Sequence, residues 1–106
     1  MANSPFRSQL DALLLAIIAP APLHGYAIIE RLRERSDGAF ELPEGTVYPV
    51  LHRLEREGQL ASEWAERNGR RTRHYRVTEP GREALAARRI EWQAFRRGVD
   101  SILEAS

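Results

Sequence analysis

The chain has 106 residues, enough for one domain with a modest core, and its 42% hydrophobic and 29% charged residues are typical of a globular protein. The net charge is only +1, and the absence of cysteine excludes disulfides and thiolate ligands. No apolar run reaches the roughly 20 residues that a membrane-spanning helix needs, and the N-terminus lacks the pattern of a secretory signal. We therefore expect a cytoplasmic protein with no membrane partner.

The basic residues are unevenly distributed along the chain. All 16 of them are arginine, and five lie in the segment 67–76, which contains no acidic residue. The local charge there is strongly positive although the whole chain is nearly neutral. Because an arginine can bind an anionic group through two nitrogens, every basic contact of this chain can be bidentate.

The N-terminal part of the chain has the pattern of two helices. Leucine and isoleucine repeat at helical spacing and predict a first helix over residues 8–19. A second helix is expected over residues 25–35, with His24 near its N-cap and Gly25 permitting a close approach. Its predicted buried stripe consists of Tyr26, Ile29 and Leu32. Phe40–Leu42 then forms either a short strand or an extended connection.

The segment 44–58 has the pattern of an amphipathic helix. Its apolar residues fall at i, i+3, i+4 and i+7, the spacing of one buried helical face, and are Val47, Val50, Leu51 and Leu54. The opposite face carries Thr46, Pro49, His52, Arg53 and Arg56. Gly58 lies where a residue in the left-handed conformation would end the helix. The polar face suits insertion into the major groove of DNA, and the alternative is an ordinary solvated helix.

Pro49 lies inside this predicted helix and lacks the N–H group that the helical ladder uses. If the helix begins near Glu44, the proline should kink its axis or tighten its start. If Glu44 and Gly45 are only loosely helical, Pro49 falls close to the first regular turn, where proline is tolerated. In both cases we expect an irregular N-terminal end.

Two segments of alternating polarity follow this helix. The side chains that share one face are Leu60, Ser62 and Trp64 in the first segment and Tyr75 and Val77 in the second. Asn68-Gly69 between them is a strong hairpin signal because both residues tolerate positive φ. We predict a β-hairpin with an arginine-rich tip and a loop of two residues or more. Trp64 and Tyr75 are expected to face inward, whereas an RNA-binding sheet would expose its stacking aromatics.

The C-terminal segment has the pattern of a long amphipathic helix, with Thr78 as its cap and Pro80 in its first turn. Apolar residues recur there with a seven-residue period, which is the repeat of a seam between helices. The seam residues are Leu85, Trp92, Phe95, Val99 and Ile102. A second face of small residues makes the apolar surface larger than so small a domain can cover, so we expect a dimer interface. The alternative is packing entirely on the chain's own core.

This order of elements predicts a winged helix-turn-helix domain, residues 1–79, followed by a C-terminal dimerisation helix, residues 80–106. The expected fold class is mostly α with a small β-hairpin. Four segments closely resemble, in order and spacing, the motifs of the PadR family of bacterial and archaeal transcriptional regulators. They are His24-Gly25-Tyr26, residues 45–58, residues 70–78 and Gly81-Arg82. The resemblance covers about residues 8–103 and is to the smaller subgroup, which has a single short C-terminal helix.

The resemblance implies a homodimer that binds an inverted-repeat DNA operator, usually as a repressor, and releases it when an effector arrives. It places the third helix in the major groove, with Thr46, Tyr48, Pro49, His52 and Arg53 at or near the DNA. Tyr48 would donate its hydroxyl to a phosphate, and Pro49 would contact a thymine methyl group. Arg53 would either read a guanine or hold a phosphate, and His52 is either at a base edge or a spectator.

The resemblance also implies roles for the wing and for the last helix. The hairpin residues Arg70, Arg71 and Arg73 should contact phosphates or the minor groove, unless they merely solvate a mobile loop. In some members of the subgroup flat aromatic compounds bind between tryptophans at the dimer interface. Trp92, with Phe95 nearby, suits such an effector site. The alternative is a tryptophan that only packs the dimer.

Other classes of function have little support in the sequence. The three histidines have no metal-ligand spacing, the serines lie in no recognisable nucleophile motif, and no glycine-rich phosphate loop is present. We therefore expect no enzyme, no metal and no cofactor. The alternative that stays open is a protein-interaction module, in which the wing is only a charged loop. Such a module should show little operator preference and no steep salt dependence.

Overall fold

The computed structural model describes residues 5–104, so the ends of the two predicted domains lie outside the described residues. The helices are α1 Pro5–Ile18, α2 Gly25–Arg35, α3 Glu44–Arg56 and α4 Glu79–Glu104. The strands are β1 Leu23–His24, β2 Leu60–Arg67 and β3 Arg70–Val77. This order of helices and strands confirms the predicted architecture, mostly α with a small β-hairpin.

The core lies where the first three helices meet the base of the sheet. Its fully buried side chains are Leu14, Leu15 and Ile18 of α1, Ile28 of α2, Val47, Leu51 and Leu54 of α3, and Leu60 of β2. The predicted buried face of α3 is thereby confirmed, with Val50 half-buried beside it. Each such side chain contributes about 1.5–3 kcal/mol when it is removed from water. This burial fixes the rotation of α3 about its axis and leaves its polar face outward.

The buried face of α2 differs from the predicted one. Gly25, Ile28 and Leu32 are buried, whereas the Tyr26 side chain is 57% exposed. The prediction that Tyr26 is buried was wrong because the first buried position of the helix is Gly25. One residue further on, the helix has turned by roughly 100°, which carries the Tyr26 ring to the surface.

The first and last turns of α3 are held by backbone hydrogen bonds. The helix begins at Glu44, so Pro49 lies inside it, the first of the two predicted possibilities. At its start, the Pro43 carbonyl accepts hydrogen bonds from the amides of both Thr46 and Val47, at 3.0 and 3.1 Å, which tightens the first turn. At its end, Gly58 has φ of +79° and donates to the Glu55 carbonyl. The Gln59 amide donates to the Leu54 carbonyl, which completes a Schellman cap and confirms the predicted stop.

The hairpin of β2 and β3 closes through a two-residue loop, the shorter of the predicted possibilities. Asn68 and Gly69 have φ of 52° and 75°, as a type I′ turn requires. β1 pairs antiparallel with the other edge of β3, so the sheet order is β1-β3-β2. The sequence did not indicate β1. Phe40–Leu42 is the extended connection and not a strand.

The last helix begins at the predicted cap and leaves the body of the domain. The Thr78 hydroxyl accepts from the Gly81 amide at 3.1 Å and donates to the Gly58 carbonyl at 2.6 Å. Leu85 was predicted in the dimer seam, but it is buried in the chain's own core, 4% exposed. Further along, Trp92, Phe95 and Ile102 are 46%, 51% and 70% exposed. Within residues 5–104, no helix combines the length and the apolarity that crossing a membrane needs.

Candidate nucleic-acid interface

The outer face of α3 presents a row of side chains to solvent. Pro49 and His52 are exposed and Thr46 is half-buried. Tyr48 stacks beside His52, with the ring centroids 6.5 Å apart and an angle of 26° between the planes. Four of the five α3 residues predicted to meet DNA therefore lie at or beside this face.

The position of Tyr48 depends on a glycine of the preceding helix. A Cβ atom at Gly25 would collide with the Tyr48 ring and would lie 2.8 Å from its hydroxyl. The close approach predicted for Gly25 is thus confirmed, and its partner is Tyr48. Burial and then the negative charge of Glu44 raise the pKa of the Tyr48 hydroxyl, which keeps it protonated and able to donate at neutral pH.

The wing, which is the hairpin of β2 and β3, carries aromatic and cationic side chains on the face that borders α3. The β2–β3 register pairs Trp64 with Arg73 and Glu66 with Arg71. The Arg71 and Arg73 guanidinium carbons lie 5.0 and 5.3 Å from the centre of the Trp64 ring, within the range of a cation–π interaction. Trp64 was predicted to face inward and does share the face of Tyr75. It is nevertheless 55% exposed because the hairpin extends beyond the core that buries Tyr75.

Arg73 also joins the wing to α3. Its Nε donates to the Ser62 hydroxyl at 2.8 Å, and that hydroxyl donates to the Glu55 carboxylate at 2.6 Å. The Arg73 Nη2 atom lies 3.7 Å from the same carboxylate. Arg73 is therefore partly neutralised within the protein, whereas Arg70 and Arg71 are exposed near the tip of the hairpin.

The exposed face of α3 and the inner face of the wing border one cleft. Its volume is about 260 Å³. Residues on both sides line it, among them Tyr26, Tyr48, His52, Trp64, Arg71 and Arg73. The structure thus brings together residues that the sequence predicted separately. Tyr26 and Trp64 were missed, although the alternation that places Trp64 on the face of Arg71 and Arg73 was visible in the sequence.

Arg53 lies differently from the other predicted contacts of α3. Its Nη2 donates to the buried Asp11 carboxylate at 2.5 Å and its Nη1 to Glu57 at 3.3 Å, and its side chain is only 17% exposed. The hydrogen bond to Asp11 is the main cause that raises the pKa of this guanidinium. Arg53 would have to give up both bonds to reach a base.

His24 has the predicted place at the start of α2. Its Nδ1 accepts a hydrogen bond from the Ala27 amide at 3.3 Å, and its ring centroid lies 5.9 Å from that of His74. Burial, and then the positive charges of Arg67 and His74, lower the pKa of His24. In the described part of the chain, no group of three or more acidic or histidine side chains could hold a metal ion.

Comparison of the sequence with known proteins matches this chain to transcriptional regulators. The family model "Transcriptional regulator PadR-like family" matches residues 14–87, which is more than half of the chain. The transcriptional regulator Rv3488 of Mycobacterium tuberculosis is 42% identical over 93 residues, which cover 88% of this chain and 84% of that protein.

Solved structures have the same winged helix-turn-helix fold. A transcriptional regulator from Clostridium thermocellum superposes with a TM-score of 0.84 at 25% identity, over 91% of this chain and 94% of that one. A PadR family regulator from Clostridium difficile has a TM-score of 0.80 at 29% identity, over 89% and 97%. These relatives are regulators and not enzymes. The chain belongs to the PadR-like family of transcriptional regulators.

Proposed function

We propose that this protein is a homodimeric repressor that binds an inverted-repeat operator and releases it when a planar aromatic effector binds. The observation that carries the DNA-binding part is the cleft between α3 and the wing. There the exposed side of a helix faces the same space as two arginines of the wing, Arg71 and Arg73. A winged helix-turn-helix domain uses such a pair of surfaces on the major groove and on the flanking backbone.

On this proposal α3 enters the major groove. Pro49 contacts a thymine methyl group, and His52 reaches a base edge because its ring is exposed. Thr46 lies near the DNA, and the protonated Tyr48 hydroxyl donates to a phosphate. We add Tyr26 as a second phosphate donor because its exposed side chain borders the same cleft.

The wing supplies positive charge that binds DNA whatever the DNA sequence is. Arg70 and Arg71 neutralise phosphates or enter the minor groove, and Trp64 orients the guanidinium of Arg71. Arg73 contributes less net charge because Glu55 lies close to it. Each phosphate that is neutralised adds about 0.9 to the slope of log K against log salt concentration.

The second half of α4 supports the dimer. Trp92 and Phe95 form an aromatic pair with centroids 5.9 Å apart, and both are about half exposed. Val99 and Ile102 continue the same seven-residue repeat. Leu85 is left out of the proposed seam because it is already buried in the chain's own core. A helix of 26 residues with such a face is suited to pair with the same helix of a second copy.

The proposed effector site lies at Trp92 and Phe95 of the proposed dimer seam, and both residues also line a groove between α1 and α4 with a volume of about 490 Å³. Its lining includes Leu13, Ala16, Phe40, Trp92 and Phe95, which suit a flat apolar guest. The sequence contains two tryptophans, Trp64 and Trp92, which gives a direct test. A planar dye should quench the fluorescence of Trp64→Ala, in which only Trp92 remains, and leave that of Trp92→Ala unchanged. Equal quenching of both variants would place the dye elsewhere.

Binding to DNA is tested by fluorescence anisotropy. The DNA upstream of the protein's own gene is compared with a scrambled duplex of the same composition at several salt concentrations. We expect a clear preference for the native sequence and a steep salt dependence. Weak and equal binding to both duplexes, with no preference among genomic fragments selected by the protein, would instead support a protein-interaction module.

A further inference from the structure

A buried carboxylate joins three helices behind the DNA-binding face. Asp11 of α1 is 3% exposed. Its Oδ1 accepts from Arg53 Nη2 of α3 at 2.5 Å, and its Oδ2 pairs with Arg88 Nη2 of α4 at 3.2 Å. One carboxylate thus holds the helix proposed to read DNA and the helix proposed to form the dimer.

Because the Asp11 carboxylate is buried, both of its ion pairs are needed to compensate its charge. An ionised group is costly to bury unless it is paired, and removal of one partner from a buried pair leaves a charge that is only partly compensated. Within the described chain, Arg88 Nη1 is buried and has no hydrogen-bond partner, so the ion pair of Nη2 with Asp11 is the contact that holds this guanidinium. The two arginines therefore share one anion, each at its own oxygen.

The two arginines that share Asp11 lie at two different surfaces of the molecule. Arg53 immediately follows His52, an exposed residue of the α3 outer face. Arg88 lines the groove between α1 and α4, one turn before Trp92. We expect a shift of α4 at this groove to change the distance from Arg88 to Asp11, and thereby how strongly Asp11 attracts Arg53.

We propose that Asp11 is a positioning residue for DNA binding, which makes the seating of α3 depend on the position of α4. The inference rests on the proposed function, since it assigns a role in operator binding to a residue that does not touch DNA. Arg53 accordingly orients α3 from behind and does not read a base. Occupation of the groove or pairing of α4 changes operator affinity through Arg88, Asp11 and Arg53.

The decisive experiment is a double-mutant cycle on operator affinity. Arg88→Gln removes the charge that faces Asp11, and Arg53→Gln removes the charge on the other side. Arg88→Gln should weaken operator binding about five-fold or more in the wild-type background. It should have little further effect in the Arg53→Gln background, because the arginine through which Asp11 acts on α3 is already lost.

Two matched variants separate this role from general damage. Arg89→Gln makes the same change at the next residue, which also lines the groove but is bonded to Asp11 by no ion pair within the described chain, and it should leave affinity unchanged. Arg88→Lys keeps the charge and should restore most of the wild-type affinity. Thermal melting of each variant confirms that all are folded at the assay temperature. Additive effects of Arg53→Gln and Arg88→Gln, or equal effects of Arg88→Gln and Arg89→Gln, would overturn the proposal.

A measurement without DNA distinguishes this proposal from a failure of the proposed function. In the free protein, Arg88→Gln should shift the backbone amide resonances of α3 around His52, and Arg89→Gln should not. If no DNA is bound but the shifts are seen, the proposed function fails and the link between α4 and α3 stands. Unshifted α3 resonances in Arg88→Gln would reject the link whatever the DNA result.

Discussion

Gly25 allows α2 and α3 to approach each other at the point where Tyr48 is seated. In Gly25→Ala the new methyl group meets the Tyr48 ring, which is not the flexible end of a long side chain. We expect a loss of about 1–3 kcal/mol in the free energy of unfolding, the usual cost of overpacking, measured by urea denaturation. Operator affinity should fall as well because Tyr48 and its stacked neighbour His52 are displaced.

The control for this prediction is Gly45→Ala in the first turn of α3. A Cβ atom at Gly45 meets no atom within 4 Å, so the variant should be as stable as the wild type or slightly more stable. A Gly25→Ala protein with wild-type stability would mean that Tyr48 moves aside without cost.

The two faces of the cleft that we propose to bind DNA should differ in what they contribute to binding. Arg71→Ala removes an exposed charge of the wing and should weaken binding to operator and random DNA by the same factor. The slope of log K against log salt should fall by about 0.9. His52→Ala should cost about 1–3 kcal/mol on the operator alone and relax the preference at one position of each half-site. Equal losses on operator and random DNA for both variants would show that α3 makes no direct base contact.

At the scale of elements, the start of α2 depends on the protonation of one histidine. His24 Nδ1 can accept from the Ala27 amide only when the imidazole is neutral. Its pKa is lowered in the folded protein, so the unfolded chain binds the proton more strongly. The stabilising contribution is therefore fully present above the unfolded pKa of about 6.5 and is lost as the pH falls through the lower folded value.

We accordingly expect thermal stability to decline on acidification below about pH 6.5, with loss of an N-cap interaction of about 1 kcal/mol. His24→Asn is the matched variant because asparagine caps helices and does not titrate in this range. The measurement is the difference in melting temperature between wild type and His24→Asn from pH 8 to pH 5. A constant difference over this range would show that His24 does not contribute to the pH dependence.

Elements that are specified by nearby residues were predictable from the sequence. The end of α3 at Gly58 and the hairpin turn at Asn68-Gly69 are encoded by residues that accept positive φ. The buried stripe of α3 follows from its period. In contrast, β1 has two residues and no period, and its pairing with β3 depends on residues some fifty positions later in the chain.

The candidate site was predictable on the polar face of α3, at Pro49 and His52, and not where exposure or pairing depends on distant parts of the chain. Periodicity gives the face on which a side chain lies but not how far the core extends beneath it, so the exposure of Trp64 was missed. The pairing of Arg53 with Asp11 joins residues on different helices, and no local pattern indicates it. The sequence alone therefore did not indicate that the Arg53 guanidinium is held within the protein.

At the scale of the whole molecule, α4 carries the surface that we propose to form the dimer. The structure measures 56 × 28 × 26 Å, and a 26-residue helix is about 39 Å long, so α4 accounts for much of this elongation. Its first half is anchored by Leu85 against α1, whereas Trp92 and Phe95 in its second half are about half exposed. Pairing of two copies through this second half would bury the aromatic pair and place two winged domains on one duplex.

Phe95→Glu places a charge in the centre of the proposed dimer seam and should give a monomer by analytical ultracentrifugation, with unchanged helical circular dichroism. Gln93→Glu adds the same side chain two positions away, outside the seven-residue repeat, and should stay dimeric. Because a monomer binds only one half-site, operator affinity of Phe95→Glu should fall about 100-fold or more, while contacts to a single half-site persist. A Phe95→Glu protein that sediments like the wild type would place the dimer contact elsewhere. A wild-type monomer that binds its operator tightly would contradict the homodimer itself.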